Sequence, residues 1–290
     1  MSLQRLYPET ILKKDDGIYE KHSEYENVVN YVSLNEGKLI SFINSKIPMG
    51  PSRIKINREI NFLDNADKFP KLISIYNKLN DYIKTNDYIL WKREKINPNK
   101  IDTCNIPNDL LQSLYNSVAV KKRYIFSDNK LNNYMFEIIN SAFTEFFKTK
   151  DPTIFKRIIG IGPGLTPFGD DVLCGALYCK NIIDYNDCFN SYISQIAKKY
   201  TTIISANFII NACENNYSDD IRKFVLGIFD SHTINKKILD SIFDYGSSSG
   251  FGIVYGFIKY LENYLKLEKI YGIFKENRKR NCKGCYIHIL

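Results

Sequence analysis

Histidine is scarce in this chain: His22, His232 and His288 are all that 290 residues contain. They stand far apart and in no nucleophile or metal-ligand spacing, so a histidine-based catalytic triad is not expected. Long hydrophobic runs are missing too. Residues 1–25 are interrupted by Lys13, Lys14, Asp15, Asp16, Glu20 and Lys21, which leaves no secretory apolar segment, and no later run approaches the roughly 20 residues a membrane span needs. The expected location is therefore the cytoplasm, with no membrane partner. No glycine-rich stretch ends in Gly-Lys-Ser/Thr, and none opens a strand-turn-helix unit with a ribose-binding acid at the right distance, so P-loop and dinucleotide readings fall away. Tandem repeats and low-complexity tracts are also lacking.

Cysteine is present but unpaired in pattern. The seven cysteines, at 104, 174, 179, 188, 213, 282 and 285, are odd in number, and several sit within apolar helical patterns, which fits reduced, buried thiols and no disulfide framework. Cys282-x-x-Cys285 followed by His288 resembles part of a zinc or redox motif, but a second pair at suitable spacing is missing, so no metal or other cofactor is expected. The net charge of +8 comes from Lys and Arg spread along the chain. The densest run, Lys275, Arg278, Lys279, Arg280 and Lys283, has few aromatics between its charges and reads as a solvated tail, with no nucleic-acid partner expected.

With 44% hydrophobic and 25% charged residues, the chain has an ordinary globular composition and enough length for one large domain or two modest ones. Residues 28–33 and 38–43 flank the turn signal Asn35-Glu36-Gly37, and Arg53-Ile54-Lys55-Ile56-Asn57 alternates after Gly50-Pro51, which predicts a hairpin plus a third strand. Helical spacing of Leu72, Ile75, Leu79 and Ile83 predicts a helix over 69–83, and residues 88–91 suggest a short extended piece. The charged, proline-bearing stretch 92–107 reads as a linker. Beyond it the periodicity predicts helices at 108–120, 129–149, 167–183, 187–214, 218–230, 234–244 and 250–267. The expected fold is α+β: a β-rich domain over 1–100 and a helical domain over 101–290.

Chemistry is expected where glycines and acids meet a helix start. Gly160-Ile161-Gly162-Pro163-Gly164-Leu165-Thr166-Pro167-Phe168-Gly169-Asp170-Asp171 precedes an apolar helical run. Pro167 suits the first helical position and Thr166 the N-cap. The glycines permit close approach to the backbone, and the helix start offers unpaired N–H groups to an anion. The alternative is a tight lead into a buried helix, with Asp170 and Asp171 offsetting the helix-end charge. A second opening, Gly246-Ser247-Ser248-Ser249-Gly250, places three hydroxyls before another apolar run. Between them, in Thr201-Thr202-Ile203-Ile204-Ser205, Thr201 and Ser205 share a helix face at i and i+4 and either line the same pocket or bond back to the preceding turn.

In order, these three motifs resemble those of the AllH-type subunit of oxamate carbamoyltransferase. Val29-Asn30-Tyr31 and Gly50-Pro51 are similar to that family's N-terminal half, so the resemblance covers roughly residues 25–265. Phe168 stands where the family usually has Ser, and Ser247 where it commonly has His. The resemblance implies transfer of a carbamoyl group between oxalurate and phosphate, giving oxamate and carbamoyl phosphate, in a complex with FdrA-type and AllG-type subunits. The physical reading is compatible with it. Anions would be held at Gly162, Gly164, Leu165, Thr166, Gly169, Thr201, Thr202, Ser205, Ser247, Ser248, Ser249 and Gly250, and Asp170 or Asp171 would position substrate NH groups or transfer a proton. Two alternatives remain open: a noncatalytic anion-binding or scaffolding subunit, and a hydrolase or ligase of another carbamoyl or amide compound.

Overall fold

The alternation that runs through residues 28–56 builds the centre of a six-stranded sheet. The computed structural model describes residues 17–56, 59–69, 71–75, 88–90, 94, 96–98, 101 and 106–271. Strands β1 (Gly17–Tyr25), β2 (Val28–Ser33), β3 (Leu39–Ile43), β4 (Arg53–Ile56), β5 (Leu72–Ile75) and β6 (Tyr88–Leu90) lie in the order β5-β1-β2-β3-β4-β6. All neighbours are antiparallel except β3 and β4, which run parallel. The β2–β3 hairpin pairs Tyr31 with Ile40, and its connection includes Gly37 at a φ of 64°, a backbone state glycine adopts without strain.

Period two gives the sheet two different faces. Tyr19, Val29, Tyr31, Ile40, Phe42, Ile54 and Ile56 form one, buried with Phe62 and Phe69 as a separate hydrophobic core. The other carries Asn30, Ser41, Arg53 and Lys55. That polar face meets the helical half of the molecule. Leu39 N–H donates to Asn207 Oδ1 at 3.1 Å, and Asn207 Nδ2 donates to Gly37 O at 2.8 Å. Asp219 N–H donates to Met49 O at 2.9 Å.

The helical half comprises α1 (Asn108–Ile125), α2 (Lys130–Thr149), α3 (Phe168–Ile183), α4 (Asp187–Tyr200), α5 (Ile203–Cys213), α6 (Asp219–Phe229), α7 (Lys236–Phe243) and α8 (Ser249–Tyr271), with a 3₁₀ turn at Pro152–Arg157. Helix α3 is buried from Phe168 to Ile182, its polar residues Asp170, Asp171, Lys180 and Asn181 included. It runs parallel to α8 at a separation only glycine permits. A Cβ on Gly175 would lie 1.8 Å from Ile253 O, and one on Gly256 would lie 1.9 Å from Val172 O. No helix among the described residues is long and apolar enough to cross a membrane.

The α+β architecture follows the expectation, with local corrections. Residues 72–75, expected in a helix over 69–83, form β5 paired with β1; the rest of that span, 76–87, lies outside the described residues. Strand β1 was not anticipated, because Tyr19 is its one buried side chain and its other residues are too polar to show a period. The helix expected over 187–214 is two helices. Thr201 is extended, and the Thr202 side chain accepts from Ser205 N–H, capping α5 and ending the run.

Candidate functional site

Both glycine-rich openings border one cavity of about 1130 Å³ between the sheet and the helices. The first loop contributes Pro163, Gly164, Leu165 and Thr166; the second contributes Gly246, Ser247, Ser248 and Ser249; α3 contributes Asp171, Cys174 and Tyr178. The loops are joined directly, since the Thr166 and Ser249 hydroxyls lie 2.9 Å apart in a hydrogen bond. Thr202 Oγ1 donates to Leu165 O, tying the first loop to the cap of α5. The three sequence motifs thus meet, although not every residue in them faces the cavity.

Asp170 is fully engaged by its own chain. It is 0% exposed. Its Oδ1 accepts from Gly160 N–H at 2.7 Å, and its Oδ2 accepts from Ser205 Oγ at 2.7 Å and from Thr201 Oγ1. Burial raises its pKa, and the bonds from Thr201, Gly160 and Ser205 oppose that rise. This places Thr201 and Ser205 around a carboxylate, and they neither line the cavity nor bond back to the preceding turn. Asp170 itself is absent from the cavity wall.

Asp171, one residue on, is in the opposite condition. It is 4% exposed and lines the cavity, and its Oδ2 has no hydrogen-bond partner among the described residues. Burial holds its carboxyl well above the usual range; a hydrogen bond from Ser249 lowers it, and the nearby Asp170 charge adds to the rise. Asp171 is therefore a carboxylic acid that keeps its proton far longer than an exposed one. Burial also pushes up Cys174 and Tyr178, which leaves both neutral and the thiol a poor nucleophile.

The loop amides divide into engaged and open. Gly169 N–H donates to Ile161 O, and Asp170 N–H and Asp171 N–H both donate to Pro167 O, so the first turn of α3 is largely satisfied from within. The N-cap position is Pro167, without a side-chain cap. Thr166, expected there, bonds Ser249 instead. The amides of Gly164, Leu165 and Thr166 have no acceptor among the described residues, nor do those of Ser247 and Ser249. Gly164 has a φ of 93° and open space where a side chain would stand, so its backbone is presented bare. Gly162, Gly169 and Gly250 pack instead against Phe168 N, Ile158 O and Ile242 O. What approaches those glycines is the protein's own backbone.

The departure at Phe168 has a packing reason. Its ring stacks on Phe251 at 5.9 Å and 16° and meets Phe126 and Phe136 edge-on, so it belongs to the core behind the loop. Ser247 does face the cavity. Sequence reasoning missed Arg53, which lines the cavity from the sheet side with Asn30 and Ser41. The alternation Arg53-Ile54-Lys55-Ile56 does put Arg53 on the polar face, but a strand alone does not show that this face is roofed by helices. Cys282, Cys285 and His288 lie outside the described residues, and among the described ones no group of three His, Cys, Asp or Glu is placed to hold a metal.

Comparison with known proteins gives one match. Residues 158–261 fit the family model described as oxamate carbamoyltransferase subunit AllH; no curated protein and no solved structure matches the chain. The matched stretch runs from the first glycine loop to the middle of α8 and holds all three motifs, leaving the sheet outside it. Over these residues, 158–261, the chain is similar to the AllH-type family of oxamate carbamoyltransferase subunits.

Proposed function

We propose that this chain is the substrate-handling subunit of a carbamoyltransferase acting on oxalurate and phosphate, or on oxamate and carbamoyl phosphate in reverse. The observation that carries the reading is the buried, unpartnered Oδ2 of Asp171 on the wall of a cavity flanked by two loops with open amides. Phosphate and a tetrahedral oxyanion both require preorganised N–H donors, and one such donor is worth about 100- to 1000-fold in turnover. The amides of Gly164–Thr166 and of Ser247 and Ser249 supply them.

The chemistry requires a proton at the leaving nitrogen. Phosphate oxygen attacks the carbamoyl carbon of oxalurate, a C–O bond forms, and the bond from that carbon to the oxamate nitrogen breaks. Protonated Asp171 gives its proton to that nitrogen, and the proton carried in by hydrogen phosphate restores the acid. Oxamate and carbamoyl phosphate leave, with atoms and charge balanced. A neutral Asp171 also avoids the repulsion that an ionised carboxylate would exert on phosphate. Asp170 serves as a positioning residue that fixes the first loop against α5. FdrA-type and AllG-type subunits are the proposed partners in the working enzyme.

The test is phosphate-dependent turnover of the reconstituted complex with Asp171→Asn. Loss of a general acid typically costs 100- to 10,000-fold, so turnover is expected to fall at least about 100-fold while the complex still assembles. Full turnover by the variant complex would overturn the assignment. Weakened assembly with unchanged turnover at saturation would favour a scaffolding subunit.

A further inference from the structure

The cavity has a second polar end. Arg53 stands at the start of β4, half-buried, on the sheet face turned toward the helices. One of its donors, Nη1, is used on Pro48 O at 2.8 Å, and it forms no ion pair among the described residues. Lys46, also on the wall, is bridged to Glu26 at 3.3 Å. The guanidinium fork thus faces the cavity with donors to spare. Around it are the hydrogen-bonding groups Ser41 Oγ, bonded to Asn30 Oδ1 at 2.7 Å, and the Tyr245 hydroxyl, 3.2 Å from Ser218 Oγ; the carboxylates of Asp219 and Asp220 also act on Tyr245, and Asp240 and Asp244 stand elsewhere on the wall. Arg53's positive charge is felt at Tyr178 and Tyr245, where it partly offsets the upward effect of burial on the phenols.

Helix α3 connects the two ends. Asp171, Cys174 and Tyr178 follow one helix face at i, i+3 and i+7 and all line the cavity, so this wall runs about 10 Å from the glycine loops toward the sheet. A half-buried guanidinium without a carboxylate partner matches one ligand group above others, because its planar fork donates two parallel hydrogen bonds to a carboxylate.

We propose that Arg53 is the carboxylate-binding residue of the site, so that the substrate is an acid whose carboxylate sits on the sheet while its carbamoyl group lies between the glycine loops. The assignment rests on the carbamoyl-transfer reading for the second half of that statement and on the cavity alone for the first. It lies outside residues 158–261, and the sheet thereby reads the acid while the helices handle the transfer. The ligand class is a ureido acid, a terminal carbamoyl-amine joined to a carboxylate directly or through a short spacer.

Calorimetric titration of the full chain separates the two halves. The probes are inorganic phosphate, oxalurate, a series of ureido acids with one to three methylenes, and the primary amide of each acid. At least one acid is expected to bind about tenfold or more tightly than its amide, the effect of losing hydrogen bonds to a charged group. Arg53→Gln is expected to erase that preference and to change phosphate affinity less than twofold. Arg53→Lys keeps the charge and is expected to retain a weaker preference, which guards against a folding defect as the cause. Equal binding of acid and amide by the native chain, no binding of either, or an undiminished preference in Arg53→Gln would each overturn the Arg53 assignment. If phosphate fails to bind while the acid preference depends on Arg53, the loop reading falls and the carboxylate site stands.

Discussion

Two adjacent aspartates in one helical turn have been given opposite surroundings, and the difference sets how each responds to substitution. Asp170 accepts three hydrogen bonds, so Asp170→Asn turns an NH₂ toward a donor and leaves a buried group unsatisfied, a cost of about 1–3 kcal/mol. Urea unfolding is expected to register that loss; an Asp170→Asn variant as stable as the native protein yet inactive would show that the residue has more than a positioning role. Asp171 has its folded pKa raised by burial, so the folded state holds a proton that the unfolded chain releases above about pH 4. Stability from this group is therefore full below that pH and is lost as pH rises toward the folded value. Asp171→Asn has no proton to lose, and its thermal midpoint is expected to fall less steeply with pH above 4 than the native one. Parallel midpoint curves for the two proteins would contradict the neutral acid.

At the scale of elements, the contact between α3 and α8 reverses a common rule. Glycine to alanine within a helix ordinarily stabilises by about 0.5–1 kcal/mol. Gly256→Ala is expected to destabilise by about 1–3 kcal/mol or more, because its methyl would stand 1.9 Å from Val172 O and must push two backbones apart. Chemical denaturation gives the sign directly. Such contacts explain which elements were legible in the sequence. Hairpin β2–β3, β4 and seven helical stretches followed from period two and period 3.6, since each buries a clear face. The strand at Leu72–Ile75 shares its spacing with a short helix, and pairing with β1 decides between them. The break at Thr201 and Thr202 depends on partners 31 and 37 residues away, Asp170 and Leu165. The glycine loops were readable from their composition as two walls of one cavity. Arg53 was not, because its meaning comes from the helices placed above its strand.

Across the whole molecule, the cavity lies between the polar face of the sheet, whose own core is on the far side, and the core of the helices. Asn207 is a small clamp between them, bonded to both Leu39 N–H and Gly37 O. Asn207→Ala is expected to speed amide exchange in β2 and β3 while leaving α3 and α8 protected, and hydrogen exchange read by mass spectrometry would show it; unchanged protection in those strands would mean the clamp is redundant. The parallel course of α3 and α8 has a further effect. Their partial positive ends lie side by side at the loops, an arrangement that repels itself in the empty protein and is relieved when a negative group sits between them. Because Gly175 and Gly256 set the distance between the axes, they also set the width of that positive mouth. Side chains introduced there would change which anion fits by size before they touched any atom of it.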